Sequence, residues 1–241
     1  MSLREFWIAL QFLTRLPTPR IKDAEAGDLA RAAIYFPAVG LVVGICLALI
    51  ARILHGNDSW VVALAVLAAW IWITGALHLD GLGDVADAFG ASHGKPDRFI
   101  DVLGDPHAGN FAVVAIALQI AAKLVLIAQL PPTLAPWALL VIPAWARWGT
   151  LLWSRLLVSL KPGLGASVAN SVGWLMIGVW ALALVVLAMF GARPTLLALV
   201  VIPAIALYWQ WRLGGITGDG LGAGIEVTET LLLFACVLSW R

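Results

Sequence analysis

Long apolar runs separated by short polar segments set the pattern of this chain. Six runs stand out, near Phe36–Leu54, Trp60–Leu77, Phe111–Leu130, Leu134–Val158, Val172–Gly191 and Thr195–Trp211. A seventh, near Ile225–Trp240, is partly polar at its start. Each is close to the roughly 20 residues that a helix needs to cross a hydrocarbon core. The pattern therefore predicts an all-α, polytopic transmembrane bundle of six or seven spans. The first 35 residues differ. The apolar stretch between Arg4 and Arg15 is too short to span, and no small-residue cleavage site follows it. Residues 1–35 thus predict an interfacial, amphipathic segment rather than a signal peptide.

Composition sharpens this picture. Of 241 residues, 62% are hydrophobic and only 12% charged, with a mean hydropathy of +0.95. Soluble domains average about 45–50% apolar and 25% charged, so a soluble fold is excluded. Little chain is left over, and residues 1–241 are read as a single integral membrane domain. A net charge of +1 with no basic run gives no pull towards nucleic acid. Cys46 and Cys236 lie in apolar runs and imply no disulfide framework. Trp60, Trp137, Trp153, Trp174, Trp209, Trp211 and Trp240 sit at or near run ends, where indole rings favour the headgroup layer. Arg4, Arg15, Arg20, Lys22 and Arg31 precede the first run, Lys95 and Arg98 follow the second, Arg155 and Lys161 the fourth, and Arg212 the sixth. The positive-inside bias then predicts a cytoplasmic N-terminus, with the acidic clusters on the same side.

Two polar motifs adjoin the apolar runs. In the first, His78-Leu-Asp-Gly-Leu-Gly-Asp-Val-Ala-Asp87, three aspartates are spaced i, i+4, i+7 and are followed by Asp97, Asp101 and Asp105. On a helix, Asp80, Asp84 and Asp87 fall within about a 60° arc. A lone Asp there would be a solvated helix start; three on one stripe repel one another unless a cation sits among them. Hard oxygen donors without a neighbouring Cys suit Mg²⁺, with Mn²⁺ as a substitute, rather than Zn²⁺. The second motif runs from Gly214 to Glu229, with Asp219, Glu226 and glycines recurring every fourth residue. That spacing serves close helix packing, and it also lets backbone N–H groups at Gly218 and Gly222 approach a phosphate while Asp219 and Glu226 hold its cation. His78 reads as a polar span-end residue or a proton carrier, and His107, between Pro106 and Gly109, is a site candidate by neighbourhood. Lys123, deep in its run, snorkels, pairs with a carboxylate or holds a substrate anion. Arg147, also within an apolar run, serves a phosphate or a structural carboxylate.

Taken together these residues resemble the cobalamin synthase family, the adenosylcobinamide-GDP ribazoletransferases. The resemblance rests on His78–Asp87, on the segment from Asp97-Arg98 to Asp105 and Gly109, and on Gly214-Gly-Ile-Thr-Gly-Asp-Gly-Leu-Gly-Ala-Gly-Ile-Glu226. Arg15-Leu-Pro-Thr-Pro19 and Phe36-Pro-Ala-Val-Gly-Leu41 match its N-terminal pattern. The sequence departs from the family's usual residues at Ala88, Gly104, Pro106 and His107. The resemblance implies a Mg²⁺-dependent inner-membrane enzyme that joins adenosylcobinamide-GDP to α-ribazole, or its 5′-phosphate, and releases GMP. Its implied metal ligands are Asp80, Asp84, Asp87, Asp219 and Glu226. Asp87 and Asp105 are the implied catalytic carboxylates, and Arg98, His107, Lys123, Arg147, Gly218 and Gly222 the substrate contacts. Two rivals share the carboxylate pattern: a membrane CDP-alcohol phosphotransferase, whose full signature is missing, and a cation-coupled transporter, which would show paired broken spans.

Overall fold

Helices form where the apolar runs lie. The computed structural model of the chain describes residues 2–19, 21, 26–92, 96–103, 109–161, 168 and 171–240. Its helices are α1 (Leu3–Leu13), α2 (Ala26–Ala32), α3 (Phe36–Ile53), α4 (Ser59–Thr74), α5 (Leu77–Ser92), α6 (Pro96–Val102), α7 (Asn110–Ala128), α8 (Ala135–Leu156), α9 (Trp174–Gly191), α10 (Ala198–Leu213) and α11 (Gly218–Leu238). Among the described residues there is no strand, only one parallel bridge between Ser159 and Ile216.

Among the described residues, five helical stretches are long and apolar enough to cross a membrane: Gly27–Ile53, Asn110–Ala128, Trp174–Gly191, Arg193–Leu213 and Gly218–Leu238. A sixth results if α4 and α5 count as one span, bent by 85°. The expected six or seven spans thus meet a count of five or six, and two physical reasons set the lower figure. The second run does not cross as one rod, because Gly75 (φ 63°) and Ala76 (φ 59°) both adopt the left-handed conformation and turn the chain. Glycine takes that conformation without Cβ strain, so Gly75 ends α4 as a left-handed C-cap. In addition α8, although 22 residues long, carries four Trp and Arg147, which lower its hydropathy. It is wrapped by protein instead: 15 of its 22 residues are buried.

Lipid tails are as apolar as the side chains, so helices in a membrane associate through close packing and hydrogen bonds. Gly40 and Gly44 bring α3 directly onto α8; a Cβ at Gly40 would lie 2.5 Å from Ala144 Cα. Pro143 cannot donate to the Leu139 carbonyl, and Gly44 packs against the Leu139 and Leu140 carbonyls at that turn. Buried indoles then link helices through backbone carbonyls. Trp148 Nε1 donates to Ile177 O (2.9 Å), Trp153 Nε1 to Ile202 O (2.8 Å) and Trp180 Nε1 to Ile34 O (2.8 Å). This corrects the headgroup reading for Trp153 and Trp209, which are both buried. Trp60, Trp174, Trp211 and Trp240 are exposed, as a span-end position requires.

The N-terminal helix is amphipathic, as its pattern predicts. Ser2 and Glu5 form a reciprocal capping box at its start. Its apolar face, with Ile8, Leu10 and Leu13, is buried against the bundle. Beyond it the Arg15 N–H donates to Ile73 O at 2.7 Å, which ties the segment to the bend between α4 and α5.

Candidate active site

The bend at Gly75–Ala76 gives the aspartate motif a helix of its own, α5, laid across the start of α11. Two glycines make the crossing close. A Cβ on Gly81 would be 3.0 Å from Asp219 O, and one on Gly222 would be 3.5 Å from His78 Cα. From Gly218 on, the glycine-rich motif forms the first turns of α11, and Thr217 caps them by accepting from the Gly220 N–H at 3.1 Å. This crossing delivers Asp219 to the aspartate stripe. Asp84, half-buried, feels the negative charge of Asp80, Asp219 and Asp87, and the positive charge of Lys161. Sequence reasoning used Lys161 only to orient the chain. It is the basic residue that balances Asp84 and Asp219 in part.

Asp87 stands apart within the stripe. Its Oδ2 accepts from the Gly109 N–H (2.5 Å) and its Oδ1 from the Ala112 N–H (3.0 Å). Both donors belong to the first turn of α7, where N–H groups lack helical partners. Asp87 therefore caps α7 from a neighbouring helix. Asp80, Asp84 and Asp219 make up the rest of the carboxylate cluster at the crossing.

Two cavities flank the stripe. One of about 310 Å³ is lined by Asp84, Asp87, Gly109, Asn110 and Phe111 among others. The other, of about 200 Å³, is bounded by Asp80 and Asp219 together with His78, Arg147, Gly218 and Gly222. A larger cavity of about 540 Å³ lies at the opposite end of α4, by Arg52, His55 and Ser59, and no carboxylate lines it. Volume alone would choose that cavity; the charged residues choose the other two.

Glu226 is not part of the aspartate cluster, which corrects its assignment as a metal ligand. It accepts from Lys123 Nζ at 2.6 Å and from Gln119 Nε2 at 2.7 Å. Lys123 Nζ also lies 2.6 Å from Glu229 Oε2, and Arg147 Nη1 lies 3.0 Å from Glu229 Oε1. All four ionic side chains are buried. Two cations and two carboxylates cancel, which is how a bilayer interior tolerates them. Lys123 is thereby taken up by carboxylates, the pairing alternative of its sequence reading, and is not free for a substrate anion. Glu229 and Gln119 were not foreseen; their signal was polarity inside apolar runs, one helical turn from Glu226 and Lys123. Arg147 divides its guanidinium. Nη1 bonds Glu229 and Pro143 O (2.9 Å), whereas Nε and Nη2 have no hydrogen-bond partner among the described residues. Arg98 is exposed on α6 and lines neither of the flanking cavities. Asp105 and His107 lie outside the described residues.

Among the described residues, no three of these groups are close enough to form an all-protein metal cage. The donor set nonetheless fits Mg²⁺, which is usually held by one or two carboxylates, substrate phosphates and retained waters. Asp80, Asp84 and Asp219 supply hard, mutually repelling oxygens of that kind.

The fold and the cluster together define a helical membrane bundle with carboxylates gathered beside two cavities. The particular lineage follows from comparison: the pattern of the cobalamin-5-phosphate synthase family matches residues 5–237, and the chain belongs to that family. It is 48% identical to the adenosylcobinamide-GDP ribazoletransferase of Thiobacillus denitrificans, over 98% of this chain and 96% of the relative. Relatives of the same name in Novosphingobium aromaticivorans and Laribacter hongkongensis are 46% and 43% identical. They cover 98% and 99% of this chain, and 97% and 98% of their own lengths. No solved structure matches the chain. The lipid phosphotransferase and transporter readings are not favoured.

Proposed function

We propose that this protein joins adenosylcobinamide-GDP to α-ribazole or its 5′-phosphate and releases GMP, at the α5–α11 crossing. The observation that supports this reading is the meeting of Asp80 and Asp84 with Asp219 beside two cavities, in a chain of this family. The ribose hydroxyl oxygen of the acceptor forms a bond to the phosphorus next to the cobinamide. The bond from that phosphorus to the GMP oxygen breaks, and GMP leaves with the electron pair. Asp80, which lines the 200 Å³ cavity, would take the hydroxyl proton. Asp84 and Asp219 would hold Mg²⁺, which would neutralise charge on the diphosphate. Lys161 adds a second positive charge near the same carboxylates. Asp87 fixes α7 against α5 and so sets one wall of the 310 Å³ cavity.

The site lies on the cytoplasmic side of the inner membrane in this proposal, where nucleotide-activated substrates are made. Purified protein given Mg²⁺, adenosylcobinamide-GDP and α-ribazole should release GMP. Chelation should abolish release, and Mg²⁺ or Mn²⁺ should restore it. Full turnover in metal-free buffer would overturn the metal part; absence of GMP under all conditions would overturn the reaction.

A further inference from the structure

The 200 Å³ cavity is lined by residues of two kinds. Phe12, Leu13, Phe36, Leu77, Leu221 and Ile225 are apolar, and the Phe12 and Phe36 rings stack at 6.1 Å. Asp80, Asp219, His78 and Arg147 are polar or charged. Two of these polar groups are buried without satisfaction. Among the described residues, the fully buried Arg147 has Nε and Nη2 unpartnered, and His78, only 4% exposed, has an unpartnered Nε2. Buried polar atoms are nearly always bonded, and these belong to two residues that line the cavity, which points to a ligand there.

Size and chemistry limit that ligand. Sites for whole drug-sized molecules run to roughly 300–1,000 Å³, so this cavity takes one ring system with a polar tail and excludes a corrin macrocycle. Guanine carries donors and acceptors around its edge, which the apolar wall would leave unpaired at a cost of about 1–3 kcal/mol each. A benzimidazole has a flat apolar body and no exocyclic polar group.

We infer that this cavity is the acceptor subsite: the benzimidazole base of the ribazole lies on the Phe12–Phe36 wall, with its ribose end against Arg147, His78 and the Asp80–Asp219 edge. The inference rests on the transferase reading above and adds which substrate occupies which side of the aspartate stripe. It leaves the 310 Å³ cavity, beside Asp84 and Asp87, to the nucleotide-bearing donor. Arg147 acts here as a binding residue through the two nitrogens that the interior ion network does not use.

Equilibrium binding separates this from catalysis. Calorimetric titration of α-ribazole into the detergent-solubilised, Mg²⁺-loaded protein needs no donor and no turnover. Phe12→Ala, on the partly exposed face of α1, should weaken α-ribazole binding roughly tenfold, the scale of losing about 1.4 kcal/mol of aromatic contact. Arg147→Lys keeps a charge opposite Glu229 and removes the free guanidinium edge; it too should weaken binding about tenfold or more. The KM for adenosylcobinamide-GDP should stay within about twofold in Phe12→Ala, a margin under 0.5 kcal/mol. Unchanged α-ribazole affinity in both variants, or a parallel rise in the KM of both substrates in Phe12→Ala, would overturn the assignment. Failure of the transferase reading would show separately, as a parent protein that releases no GMP.

Discussion

Replacing Lys123 by Met tests the interior ion network most directly. Met keeps an unbranched, apolar stem and removes only the ammonium. In the parent, Nζ lies 2.6 Å from Glu226 Oε2 and 2.6 Å from Glu229 Oε2, and it stands over the Trp70 ring at 4.8 Å. At an effective dielectric of 20, each contact corresponds to about 6 kcal/mol of Coulomb attraction. Desolvation of each ion cancels several kcal/mol of that. Without Lys123, Glu229 keeps Arg147, but Glu226 keeps only Gln119 and leaves the network one negative charge in excess. Removing one partner of a buried pair costs about 3–5 kcal/mol, and that is the expected loss for Lys123→Met. Reversible unfolding in mixed micelles, followed by Trp fluorescence, measures it. Adding Glu226→Gln removes the excess charge, so the double variant should recover at least about 1 kcal/mol of the loss, within the range for contacting residues. Strictly additive losses would refute the pairing. A Lys123→Met protein within about 0.5 kcal/mol of the parent, the range of ordinary surface changes, would refute the buried network itself.

The other predictions concern the site and the packing that positions it. Asp84→Asn should lower GMP release at least about 10²-fold, the scale of removing one electrostatic stabiliser, while unfolding stays at or above parent stability because repulsion from Asp80, Asp219 and Asp87 is relieved. Asp87→Ala should cost about 0.5–2 kcal/mol through loss of the α7 cap, seen in the same unfolding assay; no stability loss would return Asp87 to a purely catalytic role. Gly44→Ala places a methyl against the Leu139 and Leu140 carbonyls, and should destabilise by about 1–3 kcal/mol; parent-like stability would mean that α3 and α8 are not in contact there. Single cysteines at Asn110 and Ser59, at opposite ends of α4 and α7, should label from the cytoplasmic and outer faces respectively, and the reverse pattern would overturn the proposed orientation.

Much of the architecture was legible in hydrophobic periodicity, because each helix except α5 and α6 is a recognisable apolar run or amphipathic segment. The second run misled for a local reason. Leu77 and the leucines after it continue the apolar pattern of α4, while the left-handed pair at Gly75–Ala76 leaves no trace in hydropathy. The stripe of Asp80 and Asp84 could be read from 3.6-residue spacing, since one helix carries it. Its completion by Asp219 could not, because that depends on how closely Gly81 and Gly222 let two helices cross. Glu226 misled for the opposite reason. It shares a motif with Asp219, but two turns of helix carry it into the interior, where Lys123 waits on α7. Sequence proximity measured distance along α11, whereas the chemistry depended on depth.

That depth difference explains how one bundle holds so many charges. Glu226 and Glu229 sit where water cannot reach, so each is matched by Lys123, Arg147 or Gln119 within 3.0 Å. Asp80, Asp84 and Asp219 sit at the crossing of α5 and α11, where Lys161 is the balancing cation among the described residues. Had the chain neutralised these aspartates as fully as the interior pair, no attraction would remain for a cation or for the charge that develops on a diphosphate. The unbalanced cluster is therefore tolerable only at the end of the bundle, and useful only if left unbalanced. Arg147 joins the two regimes. Nη1 closes the interior network on Glu229, and the unpartnered Nε and Nη2 belong to the residue that lines the cavity beside Asp80 and Asp219. A guanidinium can serve both because its planar fork carries five donors in fixed directions. A lysine at this position would have to choose one, which is why Arg147→Lys should weaken the acceptor side while the charge opposite Glu229 is kept.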